Sequence, residues 1–194
     1  MSGELTTEAR ILEVASRLFY ERGYEATSMR DLAEGVGIRA PSLYNHFADK
    51  QAILVRICLD TMREFHTGAL ECLAGMDNPA HRLRVLINWQ VRFEASHPYT
   101  VRVADAQLTA LDPVTRREVI EVRDAYEQLL TSILAEGGHQ GHWRVEDPRV
   151  ICMGIIGMCK INSWYRDGAA LTPEQIGDRY ATLILAALDA STRI

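Results

Sequence analysis

Four of the six prolines come directly after a residue that can cap a helix, and this pattern restricts the fold more than any other in the chain. The pairs are Asn78-Pro79, Asp112-Pro113, Asp147-Pro148 and Thr172-Pro173. Asn, Asp and Thr side chains accept hydrogen bonds from free N–H groups in a first helical turn, where proline is tolerated because its missing N–H would have no partner. Since Pro41 and Pro98 also lie near proposed helix starts, every proline predicts the beginning of a helix.

The spacing of apolar residues also predicts helices along the whole chain of 194 residues. Apolar side chains recur every three or four positions, without the sustained alternation or the Asn-Gly hairpin signal that would indicate strands. We therefore expect an all-α fold of about nine helices. The first helix would be capped by Thr7, the seventh would run from Pro113 to Glu136 and stop at Gly137-Gly138, and the eighth would run from Pro148 to Tyr165.

Residues 28–50 are predicted to form two short helices joined by a tight turn. Ser28 followed by Asp31 is the signature of a capping box at the start of the first helix. Gly35 and Gly37 would end that helix, because glycine adopts the positive φ of a sharp turn without steric cost.

The second of these helices would cover residues 41–47 and present a polar outer face. Leu43 and Phe47 are four positions apart and can both face the protein interior. The other side chains are of types that hydrogen-bond to base edges and phosphate oxygens, namely Ser42, Tyr44, Asn45 and His46. This face predicts a helix-turn-helix that binds DNA. The segment alone leaves open an ordinary helical hairpin with a solvated outer face.

The longer segment 11–54 resembles the N-terminal DNA-binding domain of the TetR family of bacterial transcription regulators. The matching residues are Ile11, Ala15, Leu18, Phe19, Gly23, Tyr24, Thr27, Ser28, Arg30, Leu32, Ala33, Gly37, Ile38, Ser42, Leu43, Tyr44, His46, Phe47, Lys50 and Leu54. Arg39 and Ala40 depart from the family pattern, which often has a serine followed by a basic or polar residue. The resemblance implies a three-helix DNA-binding domain over residues 6–55 and a C-terminal helical domain for ligand binding and dimerisation over residues 56–194.

The resemblance also implies which side chains contact DNA. We expect Arg30 and Asn45 to contact bases, because Arg with guanine and Asn with adenine are favoured pairings. Phosphate contacts are expected mostly from Thr27, Ser28, Arg39, Ser42, Tyr44, His46 and Lys50. Ala40 and Pro41 complete the predicted DNA-binding set at the entry of the second helix.

A second resemblance lies near the C-terminus. The residues Trp164, Tyr165, Arg166, Gly168, Leu171, Thr172, Gln175 and Ile176 are similar to the C-terminal domain of TetR-family regulators of fatty-acid and steroid breakdown that respond to acyl-CoA thioesters. The resemblance implies a small-molecule effector, with acyl-CoA thioesters as candidates. We predict no bound cofactor.

Large apolar residues on different predicted helices are candidates for the effector site. They are Met62, Phe65, Trp89, Phe93, Tyr126 and Met153, with polar Gln90, Arg123 and Asn162 on the same elements. Helical bundles hold ligands between their helices, here the fourth, fifth, seventh and eighth. The alternative is that these residues simply form the core, and the effector hypothesis depends mainly on the resemblance.

The last two helices are apolar enough to form a four-helix seam between two copies of the chain. Two copies would present two DNA-reading helices to half-sites about 34 to 36 Å apart. We therefore expect a homodimeric repressor that binds a pseudo-palindromic operator, is released by its effector, and has no enzymatic activity.

The composition favours a sequence-specific DNA-binding protein over one that coats nucleic acid. The net charge is −5, whereas non-specific binding rests on clustered Lys and Arg. The N-terminus contains no apolar signal segment, and the longest apolar run, Val150 to Cys159, is too short to span a bilayer. We therefore expect a cytoplasmic protein that does not associate with membranes.

Two other functions remain open from the sequence. One is a helical small-molecule binding or thiol-sensing protein that does not read DNA, since Cys152 and Cys159 share a helix face. We nevertheless expect buried free thiols at Cys58, Cys72, Cys152 and Cys159. The other is an enzyme that uses His139 or His142 with a metal, although a solvated loop is the expected state of this H-x-x-H pair and we predict no metal site.

Overall fold

The computed structural model of the protein describes residues 6–161, 165 and 170–190. Within these ranges the chain forms nine α-helices and a short 3-10 turn at Leu108–Ala110, and contains no strand. The helices are α1 (Thr7–Arg22), α2 (Met29–Val36), α3 (Ala40–Tyr44), α4 (Lys50–Cys72), α5 (Pro79–Ser96), α6 (Thr100–Ala106), α7 (Pro113–His139), α8 (Pro148–Cys159) and α9 (Pro173–Ala190). The predicted all-α fold is confirmed.

The capped helix starts that the prolines predict are present. Pro79, Pro113, Pro148 and Pro173 are the first residues of α5, α7, α8 and α9. The Asn78 side chain accepts a hydrogen bond from the His81 N–H at 2.9 Å, and the Asp147 side chain accepts one from the Arg149 N–H at 2.9 Å. The helix boundaries therefore follow from local capping chemistry.

The first helix begins one residue earlier than predicted. Its N-cap is Thr6, whose hydroxyl oxygen accepts a hydrogen bond from the Ala9 N–H at 3.2 Å, while Thr7 is the first helical residue. The prediction of Thr7 as the cap is therefore wrong by one position. Of the two adjacent threonines, Thr6 has the extended ψ of 155° that allows its side chain to reach the N–H group three residues later.

The seventh helix continues past the glycine pair at which the sequence predicts its end. It includes Gly137 and Gly138, ends at His139, and is followed by Gly141 at a φ of 77°. Trp143 occupies the space beside Gly137, and a Cβ atom at that glycine would lie 2.0 Å from the Trp143 ring. The predicted stop at Gly137-Gly138 is wrong because the glycines let a buried tryptophan pack directly on the helix.

The eighth helix is shorter than predicted. It ends at Cys159, Lys160 has a non-helical ψ of 69°, and Tyr165 is not helical. Gly157 in the final turn makes the helical conformation there less favourable by about 1 kcal/mol than alanine would. Of the residues predicted to resemble an acyl-CoA-responsive domain, Trp164, Arg166 and Gly168 lie outside the described residues.

The chain divides into two compact units. The first contains the residues up to Met62 together with Tyr99–Ile120, and the second contains Arg63–Pro98 and the residues from Glu121 onward. These units are defined by packing, whereas the predicted boundary between residues 55 and 56 separates a DNA-binding domain from an effector-binding domain. That functional boundary stays a prediction.

Each unit has its own apolar core. Fully buried side chains of the first unit include Ile11, Phe19, Leu32, Leu43, Ile53 and Leu54. Those of the second include Leu83, Leu86, Ile87, Leu130, Ile133 and Leu134. Burying one such side chain contributes about 1.5 to 3 kcal/mol. In the described part of the chain, no helix combines the length and apolar character needed to cross a membrane.

Candidate nucleic-acid interface and effector site

The capping box predicted at the start of α2 is present. The Ser28 hydroxyl oxygen accepts a hydrogen bond from the Asp31 N–H at 3.2 Å, and the Asp31 carboxylate accepts one from the Ser28 N–H at 2.8 Å. The hydrogen bonds from the Ser28 hydroxyl and N–H hold the pKa of Asp31 below its usual value. The start of α2 is therefore fixed by its own first residues.

Gly37 makes the turn between α2 and α3. Its φ is 76°, its N–H donates to the Glu34 carbonyl at 3.0 Å, and the Ile38 N–H donates to the Ala33 carbonyl at 3.0 Å. The sequence predicts that Gly35 also belongs to this turn, and that prediction is wrong, because Gly35 lies inside α2. A Cβ there would be 2.8 Å from Val14 of α1, so its role is close packing between helices.

The DNA-reading helix of the prediction corresponds to α3, which is shorter than expected. It covers only Ala40–Tyr44, after which the N–H groups of His46 and Phe47 both donate to the Leu43 carbonyl at 3.0 Å. The predicted extension of this helix to Phe47 is wrong: the bond from the His46 N–H spans three residues, as in a turn, and α3 ends at Tyr44. Leu43 and Phe47 are nonetheless buried, as predicted.

The outer face of α3 and its flanks is exposed. Tyr44 is 53% exposed although it is a large aromatic residue. The other exposed residues of the predicted DNA-binding set are Ser28, Arg30, Arg39, Pro41, Ser42, Asn45 and His46, and Ala40 is half-buried. The structure thus collects donors, acceptors and cationic groups at one helix-turn-helix without using them in the core.

Thr27 and Lys50 serve the structure of the unit. Thr27 is 1% exposed and its hydroxyl donates to the Gly23 carbonyl at 2.8 Å, so it lies beneath the surface and we do not retain it as a phosphate contact. The Lys50 ammonium donates to the Tyr24 carbonyl at 2.6 Å and lies 4.3 Å from the centre of the Tyr24 ring. It therefore binds the α1–α2 turn to the start of α4.

Sequence analysis did not identify Gln51 as important. Its amide oxygen accepts a hydrogen bond from the Tyr24 hydroxyl at 2.8 Å, and its amide nitrogen donates to the Ala110 carbonyl at 3.0 Å. Burial raises the pKa of Tyr24, with smaller contributions from Glu25 and Asp49. No sequence signal marks Gln51, because its partners are 27 and 59 residues away in the chain.

Most of the predicted effector residues of the second unit are in contact. The ring centres of Phe65 and Tyr126 are 4.5 Å apart, those of Phe65 and Phe93 are 5.1 Å apart, and those of Trp89 and Phe93 are 5.5 Å apart. We call Phe65, Trp89, Phe93 and Tyr126 the aromatic cluster. It joins side chains from α4, α5 and α7.

Two hydrogen bonds orient the aromatic cluster. The Tyr126 hydroxyl donates to the Gln90 amide oxygen at 2.8 Å, and the Trp89 ring N–H donates to the Phe65 carbonyl at 3.2 Å. Burial raises the pKa of Tyr126 well above its usual value, so this hydroxyl remains a neutral donor. The hydrogen bond between Tyr126 and Gln90 therefore places one buried polar pair at the edge of the aromatic cluster.

The remaining predicted effector residues are not part of this cluster. Met153 is 41% exposed on α8, because the buried face of that helix is formed by Cys152, Ile155 and Cys159. Met62 is buried in the first compact unit, and Arg123 is half-buried on α7. Asn162 lies outside the described residues.

The thiol-sensing alternative finds little support in the geometry of the cysteines. Cys58, Cys72, Cys152 and Cys159 are all free, and Cys72 alone among them is half-buried. Burial raises the pKa of the Cys159 thiol to about 12, which opposes the thiolate that reacts with oxidants. His139 and His142 are exposed, and the described residues contain no group of three or more His, Cys, Asp or Glu arranged to hold a metal ion.

A capped helix, a left-handed glycine turn and a short helix with an exposed polar face define a helix-turn-helix DNA-binding protein. Residues 11–57 match the family described as bacterial regulatory proteins, tetR family, and residues 76–188 match the family described as tetracyclin repressor-like, C-terminal domain. The second match alone spans more than half of the chain. The protein belongs to the TetR family of transcription regulators, and the family predicted from the sequence is confirmed.

Individual relatives cover nearly the whole chain. The HTH-type transcriptional repressor KstR2 of Mycobacterium tuberculosis is 32% identical over 185 residues, which are 90% of this chain and 89% of KstR2. The crystal structure of AibR in complex with isovaleryl coenzyme A and operator DNA is 28% identical, with a TM-score of 0.81 over 91% of this chain and 97% of AibR. PfmR from Thermus thermophilus is 31% identical, with a TM-score of 0.83 over the same shares of the two chains.

Proposed function

We propose that the protein is a homodimeric repressor whose two copies insert α3 into successive major grooves of a pseudo-palindromic operator. The exposed polar face of α3, held by the buried side chains of Leu43 and Phe47, is the observation that carries the proposal. Repression, as opposed to activation, is supported by the similarity to the transcriptional repressor KstR2. Residues 6–55 would bind the operator, and residues 56–194 would bind the effector and form the dimer. The protein would act in the cytoplasm, where operator DNA is located.

The side chains divide by the kind of DNA contact that they favour. Arg30 and Asn45 would contact bases, since their planar groups can make paired hydrogen bonds to guanine and adenine. The Lys50 ammonium has three N–H donors, of which two bind the carbonyls of Tyr24 and Glu25. The third N–H would contact a phosphate. The other proposed phosphate contacts are Ser28, Arg39, Ser42, Tyr44 and His46, with Ala40 and Pro41 at the helix entry.

Two copies of the chain would pair through α8 and α9. Val150 and Leu183 are 64% and 58% exposed, which is unusual for large apolar side chains. Beside Val150, an open groove of about 770 Å³ lies between α8 and α9. A Cβ atom at Gly154 or Gly157 would meet nothing within 4 Å, so a second backbone can approach α8 closely. These features support a four-helix seam.

The effector would bind at the aromatic cluster and favour a conformation that no longer fits the operator. AibR, whose structure contains isovaleryl coenzyme A and operator DNA, supports an acyl-CoA thioester as the effector class. An acyl chain suits an apolar surface, and the buried pair of Tyr126 and Gln90 supplies one hydrogen-bonding site. Because the coupling is reciprocal, operator DNA must weaken effector binding by the same factor.

Substitutions on the DNA-reading surface test the first part of the proposal. Tyr44→Ala should raise the Kd for every duplex tried, and Arg30→Ala should raise the operator Kd about tenfold and relax preference at one base pair per half-site. Arg63→Ala, which removes an exposed arginine of α4, is the control and should leave DNA binding unchanged. Gel shifts with the DNA upstream of the coding region measure these effects. If neither Tyr44→Ala nor Arg30→Ala changes binding, α3 is not the reading helix.

A panel of acyl-CoA thioesters tests the second part. Isovaleryl coenzyme A and long-chain and ring-derived thioesters are added to the complex of protein and operator, with free coenzyme A as the control. We expect at least one thioester to release the DNA and free coenzyme A to leave it bound. A panel that leaves the complex intact would reject acyl-CoA thioesters as effectors without affecting the DNA-binding proposal.

The thiol-sensing alternative predicts a different response. Hydrogen peroxide should leave operator binding unchanged if Cys152 and Cys159 are inert core residues, as their burial and raised pKa values support. Loss of binding on oxidation that is reversed by a thiol reductant would instead favour a redox sensor.

A further inference from the structure

Four consecutive carbonyl groups between α6 and α7 accept hydrogen bonds from only two side chains. Arg116 of α7 donates to the carbonyls of Leu108 at 3.1 Å, Thr109 at 2.7 Å and Leu111 at 3.0 Å. The carbonyl between them, that of Ala110, accepts from the Gln51 amide nitrogen of α4 at 3.0 Å. We call residues 108–111 the anchor segment. It is bound to α7 by Arg116 and to α4 by Gln51.

Gln51 also extends this connection to the turn between α1 and α2. Its amide oxygen accepts the hydrogen bond of the Tyr24 hydroxyl at 2.8 Å. Tyr24 is 7% exposed, and its ring packs edge-on against Phe19 of α1 at 5.1 Å between ring centres. One side chain in the first turn of α4 therefore bonds to groups from two other parts of the first unit, one at each end of its amide.

We propose that Gln51 is a positioning residue for operator binding. It holds the start of α4 against the anchor segment and, through Tyr24, against the α1–α2 turn. Only residues 45–49 separate the end of α3 from the start of α4, so the placement of this first turn also fixes where α3 can lie. The inference rests on the proposed binding of an operator by α3.

The amide is suited to this task because its two ends are different. Its oxygen only accepts and its nitrogen only donates, so the Tyr24 hydroxyl and the Ala110 carbonyl together select one orientation of the side chain. An apolar side chain of similar size would fill the same space without fixing a direction. The net contribution of one such hydrogen bond to folding is small, so we expect the main effect on geometry and not on folding.

Two substitutions separate the two ends of the amide. Gln51→Leu removes both hydrogen bonds, whereas Tyr24→Phe removes only the bond from the tyrosine hydroxyl. Measured on the duplex that the wild-type protein binds, Gln51→Leu should raise the Kd about tenfold and Tyr24→Phe should raise it less. The double variant should be no worse than Gln51→Leu, because both changes break the same connection. Gln128→Leu, at an exposed glutamine of α7, is the matched control and should change nothing.

A third variant tests whether operator binding requires the hydrogen bond that the amide nitrogen donates. In Gln51→Glu, the ionised carboxylate can accept from Tyr24 but cannot donate to the Ala110 carbonyl. When the new carboxyl group becomes protonated, it has the shape and the donor of the amide again. Partial burial and the facing Ala110 carbonyl both favour the protonated form of this carboxyl group, so the ratio of variant to wild-type operator Kd should be high at about pH 8 and fall as the pH drops from about 5 toward about 4. Gln51→Leu should show no such recovery.

Each result either supports or rejects the proposal. It is supported if Gln51→Leu weakens operator binding while its Kd for an unrelated duplex stays within about twofold and Gln51→Glu recovers at low pH. It is rejected if Gln51→Leu binds the operator like the wild type, or if the Gln51 variants lose thermal stability and bind all duplexes equally less well. If the wild-type protein binds no duplex, the proposed operator binding fails instead, which is a different outcome.

Discussion

Thr27 and Ser42 carry the same hydroxyl group, but the structure uses the two side chains in opposite ways. Thr27 is buried and donates to the Gly23 carbonyl, whereas Ser42 is exposed on α3. The sequence does not separate them, since both lie in the helix-turn-helix segment and both can contact phosphate. Burial makes one of them a stabilising residue and leaves the other available to DNA.

We expect Thr27→Val and Ser42→Ala to have opposite effects on stability and DNA binding. Thr27→Val keeps the size of the side chain but leaves the Gly23 carbonyl without its bond, so it should lower the free energy of unfolding by about 1 kcal/mol. Ser42→Ala should change that free energy by less than about 0.5 kcal/mol and raise the operator Kd. Urea unfolding and gel shifts measure the two quantities. A stable Thr27→Val that no longer binds DNA would restore Thr27 as a contact.

The pH dependence of stability should report the Asp31 capping box. The pKa of Asp31 is lowered in the folded protein, mainly by hydrogen bonds from Ser28. Its stabilising contribution is therefore complete above the pKa of the unfolded chain and is lost as the pH falls through the lower, folded value. Asp31→Asn should lower the Tm at about pH 7, and the difference from the wild type should shrink below about pH 4. Asp77→Asn, at an exposed position, is the control in thermal scans.

At the scale of the helix, α7 shows where local rules are overruled by packing. Two consecutive glycines predict an end, and each costs about 1 kcal/mol relative to alanine inside a helix. Trp143 is 3% exposed and its ring N–H donates to the Leu134 carbonyl at 2.8 Å, and this packing outweighs that cost. The bulky ring needs a neighbour without a side chain, which Gly137 provides.

Alanine at the two glycines of α7 should therefore have opposite effects. Gly137→Ala would place a methyl group 2.0 Å from the Trp143 ring, so the ring must move and the free energy of unfolding should fall by about 1 to 3 kcal/mol. At Gly138 the nearest atom to a new Cβ is the Trp143 carbonyl oxygen at 3.9 Å. Gly138→Ala should therefore stabilise the protein by about 0.5 to 1 kcal/mol. Urea unfolding monitored by tryptophan fluorescence tests both, and equal effects would contradict the proposed packing role.

The features that sequence analysis predicted correctly at this scale are local ones. The caps at Asn78, Asp147 and Thr172 and the capping box at Ser28 involve atoms within three residues of each other, so the residue types themselves carry the information. The inward direction of Leu43 and Phe47 follows from helical spacing in the same way.

The features that sequence analysis missed depend on distant partners. Lys50 binds the backbone of Tyr24, 26 residues earlier, and Gln51 binds Ala110, 59 residues later. Met153 is predicted to lie with the aromatic residues because it is large and apolar, but the orientation of α8 leaves it 41% exposed and outside the aromatic cluster, so its contact with an effector stays a prediction. Apolar spacing locates helices, whereas the packing of one helix on another decides which of two similar faces is covered.

At the scale of the whole molecule, substitutions on the exposed apolar surface of α8 and α9 should change dimerisation without changing the folding of the single chain. Val150 and Leu183 are exposed in the single chain, so polar residues at these positions should not disturb its core. Large exposed apolar residues around a groove usually mark an interaction surface. The proposed homodimer would cover them.

Leu183→Glu should convert the protein into a monomer that remains folded. A carboxylate inside a dimer seam would be buried without a partner, while in the single chain it would be solvated. We expect a halved mass in light scattering, an unchanged circular dichroism spectrum and a weaker operator complex. Leu70→Glu is the matched control, because Leu70 is 49% exposed on α4. A monomeric wild-type protein would remove the dimer from the proposal, and a Leu183→Glu variant that keeps the mass of a wild-type dimer would reject the seam at Leu183.

The short α3 helix has a consequence for how regulators of this kind diversify. It is kept in place by Leu43, Phe47 and the turn at Gly37, and not by the side chains on its outer face. Those outer side chains can therefore be exchanged at little cost in folding free energy. Specificity for a new DNA sequence can therefore evolve by mutation on this face alone, while the remaining fold and the response to the effector are inherited unchanged.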